Sequence, residues 1–140
     1  MSNQEHLVAV IDHPGEAGAA IDIARETVNR GGRATLILLL TADDRKTIQA
    51  LAEGERLSIG EAEAVFVGRL QENYRRRVGA GDIRTIVRNR PSSARAVLAA
   101  ASHARATTLA VPSSVARHRR WGRALSRSPL PIVVTPPRAA

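Results

Sequence analysis

The chain has 140 residues, 44% of them hydrophobic, with a formal net charge of +8 and no cysteine. A chain of this length buries enough surface to fold without staples, and the missing cysteine excludes disulfides, thiol catalysis and zinc–thiolate sites and suits a reducing compartment. The charge is uneven: residues 1–74 carry 7 basic and 12 acidic side chains, whereas residues 75–140 carry 14 and 1.

Such asymmetry can mark an anionic partner. Yet only Lys46 is lysine and the other 20 basic residues are arginine. A GC-rich coding sequence produces that ratio without selection for binding, and a solvated basic face is the plainer reading. The opening "MSNQEHLVAV" lacks a basic region followed by an apolar one, so it does not read as a signal peptide. The run Leu36–Leu40 is too short to cross a bilayer. The expectation is one cytoplasmic domain over residues 1–140 with no membrane contact.

"HLVAVI" (His6–Ile11) is a short apolar run that suits a buried strand. Asp12-His13-Pro14-Gly15 breaks it, with Asp12 able to cap the next helix. From Glu16 to Arg30 apolar residues recur at helical spacing, and Gly31-Gly32 end that helix as left-handed residues. "ATLILLL" (Ala34–Leu40) is a second buried strand. Asp43 or Asp44 opens a shorter helix, "RKTIQALAE". Ser58 and Glu61 form a capping box. The helix they open has an apolar stripe of Ile59, Ala62, Phe66, Leu70 and Tyr74, and Gly79 and Gly81 stop it. Phe66 and Tyr74 read as core at that spacing.

"DIRTIVRN" (Asp82–Asn89) alternates like an edge strand with one polar face. Pro91-Ser92-Ser93 cap a helix with the face Ala94, Val97, Leu98, Ala101 and Ala104. "TTLAV" (Thr107–Val111) is a fourth strand, Val115–Arg127 a basic helix, and "PIVVT" (Pro131–Thr135) a fifth strand bracketed by Pro129, Pro131, Pro136 and Pro137. Alternating strands and helices imply right-handed crossovers and a parallel sheet covered on both faces. In such sheets a ligand sits beyond the carboxyl ends of the strands, where strand order reverses. The first and fourth strands are the expected neighbours there, so Asp12, Thr41 and Pro112–Ser114 should line one crevice.

The order and spacing of "HLVAVIDHPGEAGAAIDIA", "GGRATLILLLT", "DIRTIVRNRPSSARAVLAAASHARATTLAV" and "RALSRSPLPIVVTPP" resemble the universal stress protein family over residues 6–137. That resemblance implies a three-layer, Rossmann-like and adenine-nucleotide-hydrolase-like α/β fold. Its sheet would hold five parallel strands in the order 3-2-1-4-5, with helices on both faces. It also implies a homodimer paired through Pro131, Ile132, Val133, Val134 and Thr135. An apolar edge strand is a liability unless covered, and two-fold pairing would cover it.

Nucleotide-binding members of that family carry an Asp after the first strand that contacts adenosine, a position Asp12 matches. After the fourth strand they carry a loop of Gly, two residues, Gly, nine residues, Gly, then Ser or Thr. Here those glycines fall at Pro112, Val115 and Leu125, and the Ser at Ser126. Glycine is needed where backbone lies against a phosphate, and Pro112 has no N–H to give. The reading is therefore a non-catalytic, dimeric stress-response protein without family-type ATP binding and with no required cofactor.

Two alternatives stay open. One is an ATP- or AMP-binding regulatory module that uses Asp12 and the cluster Arg117, His118, Arg119, Arg120 and Arg123, since guanidinium forks hold phosphate without glycines. The candidate anion site then comprises Asp12, Thr41, Val111, Pro112, Ser113 and Ser114 with Arg117, Arg119 and Arg120. The other is a basic protein binding nucleic acid through residues 75–140. Trp121 stacks on a base, anchors a partner or covers the sheet, and packing or a dimer contact is the preferred role. Asp12, His13 and Ser113 or Ser114 can be drawn as a hydrolytic triad, but no Gly-x-Ser-x-Gly elbow exists and no catalytic residue is assigned. His6, His13, His103 and His118 lack metal-ligand spacing, so no metal is expected.

Overall fold

A computed structural model describes residues 4–12, 18–79, 83–89 and 93–136. The strands are β1 (His6–Ile11), β2 (Arg33–Leu40), β3 (Ile83–Asn89), β4 (Thr108–Pro112) and β5 (Ile132–Thr135). The helices are α1 (Gly18–Asn29), α2 (Ala42–Glu55), α3 (Ile59–Val78), α4 (Ala94–His103), α5 (Ser113–Ala116) and α6 (Arg119–Ser126). All strand pairs are parallel, and the sheet runs β3-β2-β1-β4-β5. The expected strand order is thus present. His13 to Ala17, Gly81, Asp82, Pro91, Ser92 and Pro137, on which the turn after β1 and parts of the other expected boundaries rest, lie outside the described residues.

Alternation along each strand divides the core in two. Leu7, Ala9, Ile11, Leu36 and Leu38 face α1 and α3, where Ile21, Ala24, Tyr74 and Val78 meet them. Val8, Val10, Ile37 and Leu39 point the other way and pack with Val97, Ala101, Trp121 and Leu125 of α4 and α6. A third, smaller cluster of Leu40, Ile48, Ala52 and Ala62 joins α2 and α3 to the end of β2, with Phe66 at its margin. β3 is an edge strand as expected. Its Arg84 face is not wholly polar, because Ile86 on that face packs against the α4 cluster.

Several boundaries differ from the sequence reading, each for a local reason. α2 is opened by Thr41 rather than Asp43 or Asp44: the Thr41 hydroxyl accepts the Asp44 N–H, and the Asp44 carboxylate accepts the Thr41 N–H in return. Gly31 is left-handed (φ 84°), but Gly32 is not. At Gly32 it is space that demands glycine, since a Cβ would lie 2.9 Å from the carbonyl oxygens of Glu5 and Thr27. Ile59 drops out of the α3 stripe at 52% exposure, and Val67 and Val78 are buried instead. The capping box of Ser58 and Glu61 is formed on both sides. The single basic helix expected over Val115–Arg127 is two helices, broken at His118, which is extended (φ −67°, ψ 132°). The break turns the chain so that Trp121 and Leu125, one helical turn apart, both reach the core while Val115 stays on the sheet.

Among the described residues, no helix is long and apolar enough to cross a membrane.

Candidate functional site

β1 and β4 are neighbours, with Ala9 opposite Ala110, so their carboxyl ends lie side by side. The chain leaves β1 through Asp12 and leaves β4 through Pro112 into α5. Asp12 is buried, at 9% exposure, and its Oδ2 accepts a hydrogen bond from the Ser114 hydroxyl at 3.3 Å. This contact joins residues 102 positions apart and closes one wall of the crevice. A carboxylate kept from water needs such donors. Asp12 and Ser114 meet directly, and His13, the third member of the triad drawn from the sequence, lies outside the described residues.

The other expected residues divide into those near this contact and those with separate duties. Val111 is buried in β4, and Pro112 is the last residue of that strand, opposite Thr135 of β5. Pro112 is also the residue from which α5 starts, so the expected strand Thr107–Val111 moves one residue later, to Thr108–Pro112. Ser113 is half-buried in α5. Thr41 stands at the end of β2, but its hydroxyl donates to Asp44 Oδ2 at 3.0 Å and accepts from the Asp44 amide. Its bonding groups serve the start of α2. Arg117, Arg119, Arg120 and Arg123 are all exposed, while Trp121 beside them is buried with Val97 and Leu125. The packing role for Trp121 holds, and Arg119, Arg120 and Arg123 belong to the polar side of α6, while Arg117 caps the end of α5.

Several amides after β4 are already spent on the chain's own carbonyls. The amide of Arg117 donates to the Ser113 carbonyl, that of His118 to Val115, and that of Gly122 to His118. A phosphate cradle needs N–H groups that converge on one point and are not already spent. Among the described residues there is no group of three or more His, Cys, Asp or Glu side chains that could hold a metal ion.

No family model matches the sequence, and no curated protein matches it. Solved structures do. A universal stress protein in complex with cAMP superposes with a TM-score of 0.63 at 12% identity, the match covering 97% of this chain and 99% of that one. One from Arabidopsis thaliana with AMP bound gives 0.60 at 12% identity over 96% and 93% of the two chains. One from Archaeoglobus fulgidus in complex with dAMP gives 0.54 at 15% identity over 96% and 99%. This is the universal stress protein fold. In a universal stress protein fold the strand order reverses at β1, so the crevice beside Asp12 is where topology places a ligand.

The bond between Asp12 and Ser114 was legible only as a proximity that strand topology implied. Of two other polar residues, His6 was weighed only as a metal ligand and Thr35 was not singled out. The available signal was their presence at the amino-terminal ends of two otherwise apolar buried strands.

Proposed function

We propose that this chain is a one-domain, non-enzymatic member of the universal stress protein family, working as a homodimer in stress physiology and not clasping ATP through main-chain amides. The observation that carries this is the path of the chain after Pro112. It enters a helical turn whose following amides, at Arg117 and His118, are already bonded to Ser113 and Val115. The proline itself gives no donor. The likeness in fold to universal stress proteins supports the family reading. The dimer reading is supported by β5, an edge strand with Val133 and Val134 at 40% and 51% exposure.

A second reading is favoured by the ligands of the related structures, cAMP, AMP and dAMP, none of which is a triphosphate. A nucleoside monophosphate would ask less of the missing loop. Asp12 would meet the nucleoside, and Arg117, Arg119 or Arg120 would answer the single phosphate with side-chain charge.

Calorimetric titration of the full chain with ATP and with AMP, repeated on Asp12→Ala, tests both. The first reading expects no heat with either, or ATP binding no tighter than AMP. The second expects AMP binding that Asp12→Ala abolishes. ATP binding at least about tenfold tighter than AMP, a difference of roughly 1.4 kcal/mol, would overturn the first reading, because it would require a working triphosphate cradle.

A further inference from the structure

Parallel strands begin together at the sheet edge remote from the crevice. There the molecule has a second concavity, of about 720 Å³, between the starts of β1, β2 and β3 and the helix α4. That volume lies within the range of small-ligand pockets. On the sheet side Arg33 and Thr35 of β2 share a face with Ile37, and Arg84 of β3 is paired directly opposite Thr35. On the helix side stand Ala96, Ala99 and Ala100. Methyl groups cannot span the gap between a helix and a sheet, so the space stays open. His103 and Arg105 complete the rim.

Among the described residues, the charged groups around this hollow are basic. Arg33, Arg84, Arg105 and His103 line it, and none of the described lining residues is Asp or Glu. Like charges gathered around a concavity repel one another and raise the local concentration of anions.

Two features of the backbone hold the rim in place. α4 ends in a Schellman arrangement: the Ala106 amide bonds to the Ala101 carbonyl and the Arg105 amide to Ser102. The residue that must be left-handed there is ordinarily glycine, but here it is Arg105, with φ 59°. A strained position thus carries a guanidinium to the edge of the hollow, and such strain concentrates at ligand sites. His6 then ties this corner to the sheet. The Ala104 carbonyl can only accept, so His6 Nδ1–H donates to it at 2.9 Å. With the ring neutral, Nε2 accepts the Thr35 hydroxyl proton at 2.8 Å.

We propose that this hollow is a binding site for a small, multiply charged phosphate anion, separate from the crevice beside Asp12. Arg84 and Arg105 supply the charge, with Arg33 beside them, and guanidinium forks suit phosphoryl oxygens. The alanine wall accommodates either a bare polyphosphate or the short body of an organic bisphosphate. His6 is a positioning residue that fixes the rim.

The test is a nuclear magnetic resonance titration of the full chain with sodium pyrophosphate, and in a second arm with fructose 1,6-bisphosphate. Binding should shift the amides of Arg33 to Thr35, Arg84 and His103 to Arg105, and leave Asp12 and Ser113 to His118 unmoved. Arg84→Ala combined with Arg105→Gly should weaken binding by about tenfold or more while the melting temperature holds, since glycine takes the left-handed backbone without strain. Ala99→Leu, which fills the hollow from a helical position, should also reduce binding. A tighter bisphosphate would assign the organic source, and equal or tighter pyrophosphate the inorganic one. The proposal falls if neither probe binds at millimolar concentration, if the shifts map to the Asp12 crevice, or if the double variant binds as wild type. It falls too if a short DNA duplex binds these residues more tightly than either probe, for then the arginines would serve a nucleic-acid surface.

Discussion

Tyr74 shows how one side chain can set a pH limit. It is buried between α3 and the sheet, and its hydroxyl has no hydrogen-bond partner among the described residues. Burial pushes its phenol up to about 12, with Arg77 pulling weakly the other way. The unfolded chain ionises this group near 10 and the folded chain only near 12. Stability is therefore full below pH 10 and falls as the pH rises from there towards 12. Tyr74→Phe should flatten that alkaline decline in urea unfolding and leave neutral-pH stability within about 1 kcal/mol of wild type. A much larger loss would mean that the hydroxyl is bonded after all. Gly32 sets a limit of another kind. Besides the Thr27 methyl at 2.8 Å, a Cβ there would meet two backbone carbonyls at 2.9 Å, which cannot swing aside as a flexible side chain would. Gly32→Ala should cost about 1–3 kcal/mol, measured by thermal or urea unfolding. A neutral result would show that the turn between α1 and β2 can shift.

At the scale of elements, helix starts were partly legible. The "SIGE" signature at Ser58 is a familiar box, and the structure closes it. The Ser58 N–H donates to the Glu61 carboxylate and, as the main cause, holds it below the ordinary glutamate range. The equivalent box at Thr41 was read as a ligand-lining position because its third residue is Asp44, a shorter acid than the usual pattern. Thr41→Ala should lower stability by about 1 kcal/mol, and Thr41→Ser should restore most of it. If Thr41→Ala left stability unchanged, the capping role would be refuted. The break between α5 and α6 was not legible. Val115, Trp121 and Leu125 are compatible with one continuous helix, and only the position of the sheet beneath them requires two.

For the whole molecule, the open question is what covers β5. Val133 and Val134 are exposed on a strand whose outer edge has no neighbour in the sheet. Val134→Lys places a charge where an isologous partner strand would pack. If the proposed dimer forms through β5, sedimentation should report a dimer for the wild type and monomers for the variant, with the melting temperature reduced in proportion to the lost association. A monomeric wild type would remove the dimer from the proposed function. The basic half of the chain also looks different in three dimensions. Arg75 to Arg77 end α3, Arg84 and Arg105 flank the hollow, and Arg119, Arg120 and Arg123 belong to α6. These arginines sit on separate elements.

Alternating apolar runs, helical stripes, capping residues and turn glycines are local signals. They sufficed for the strands and most helices, because each rests on contacts within a few residues, and the alternation of the two implied a layered parallel sheet. The two sites rest on meetings across the chain. Ser114 reaches Asp12 over 102 positions, and His6 reaches Ala104 over 98. Nothing local encodes such a pairing. It arises when register aligns the strand ends and packing brings α4 and α5 against them, so the basic hollow became visible only once the chain was folded.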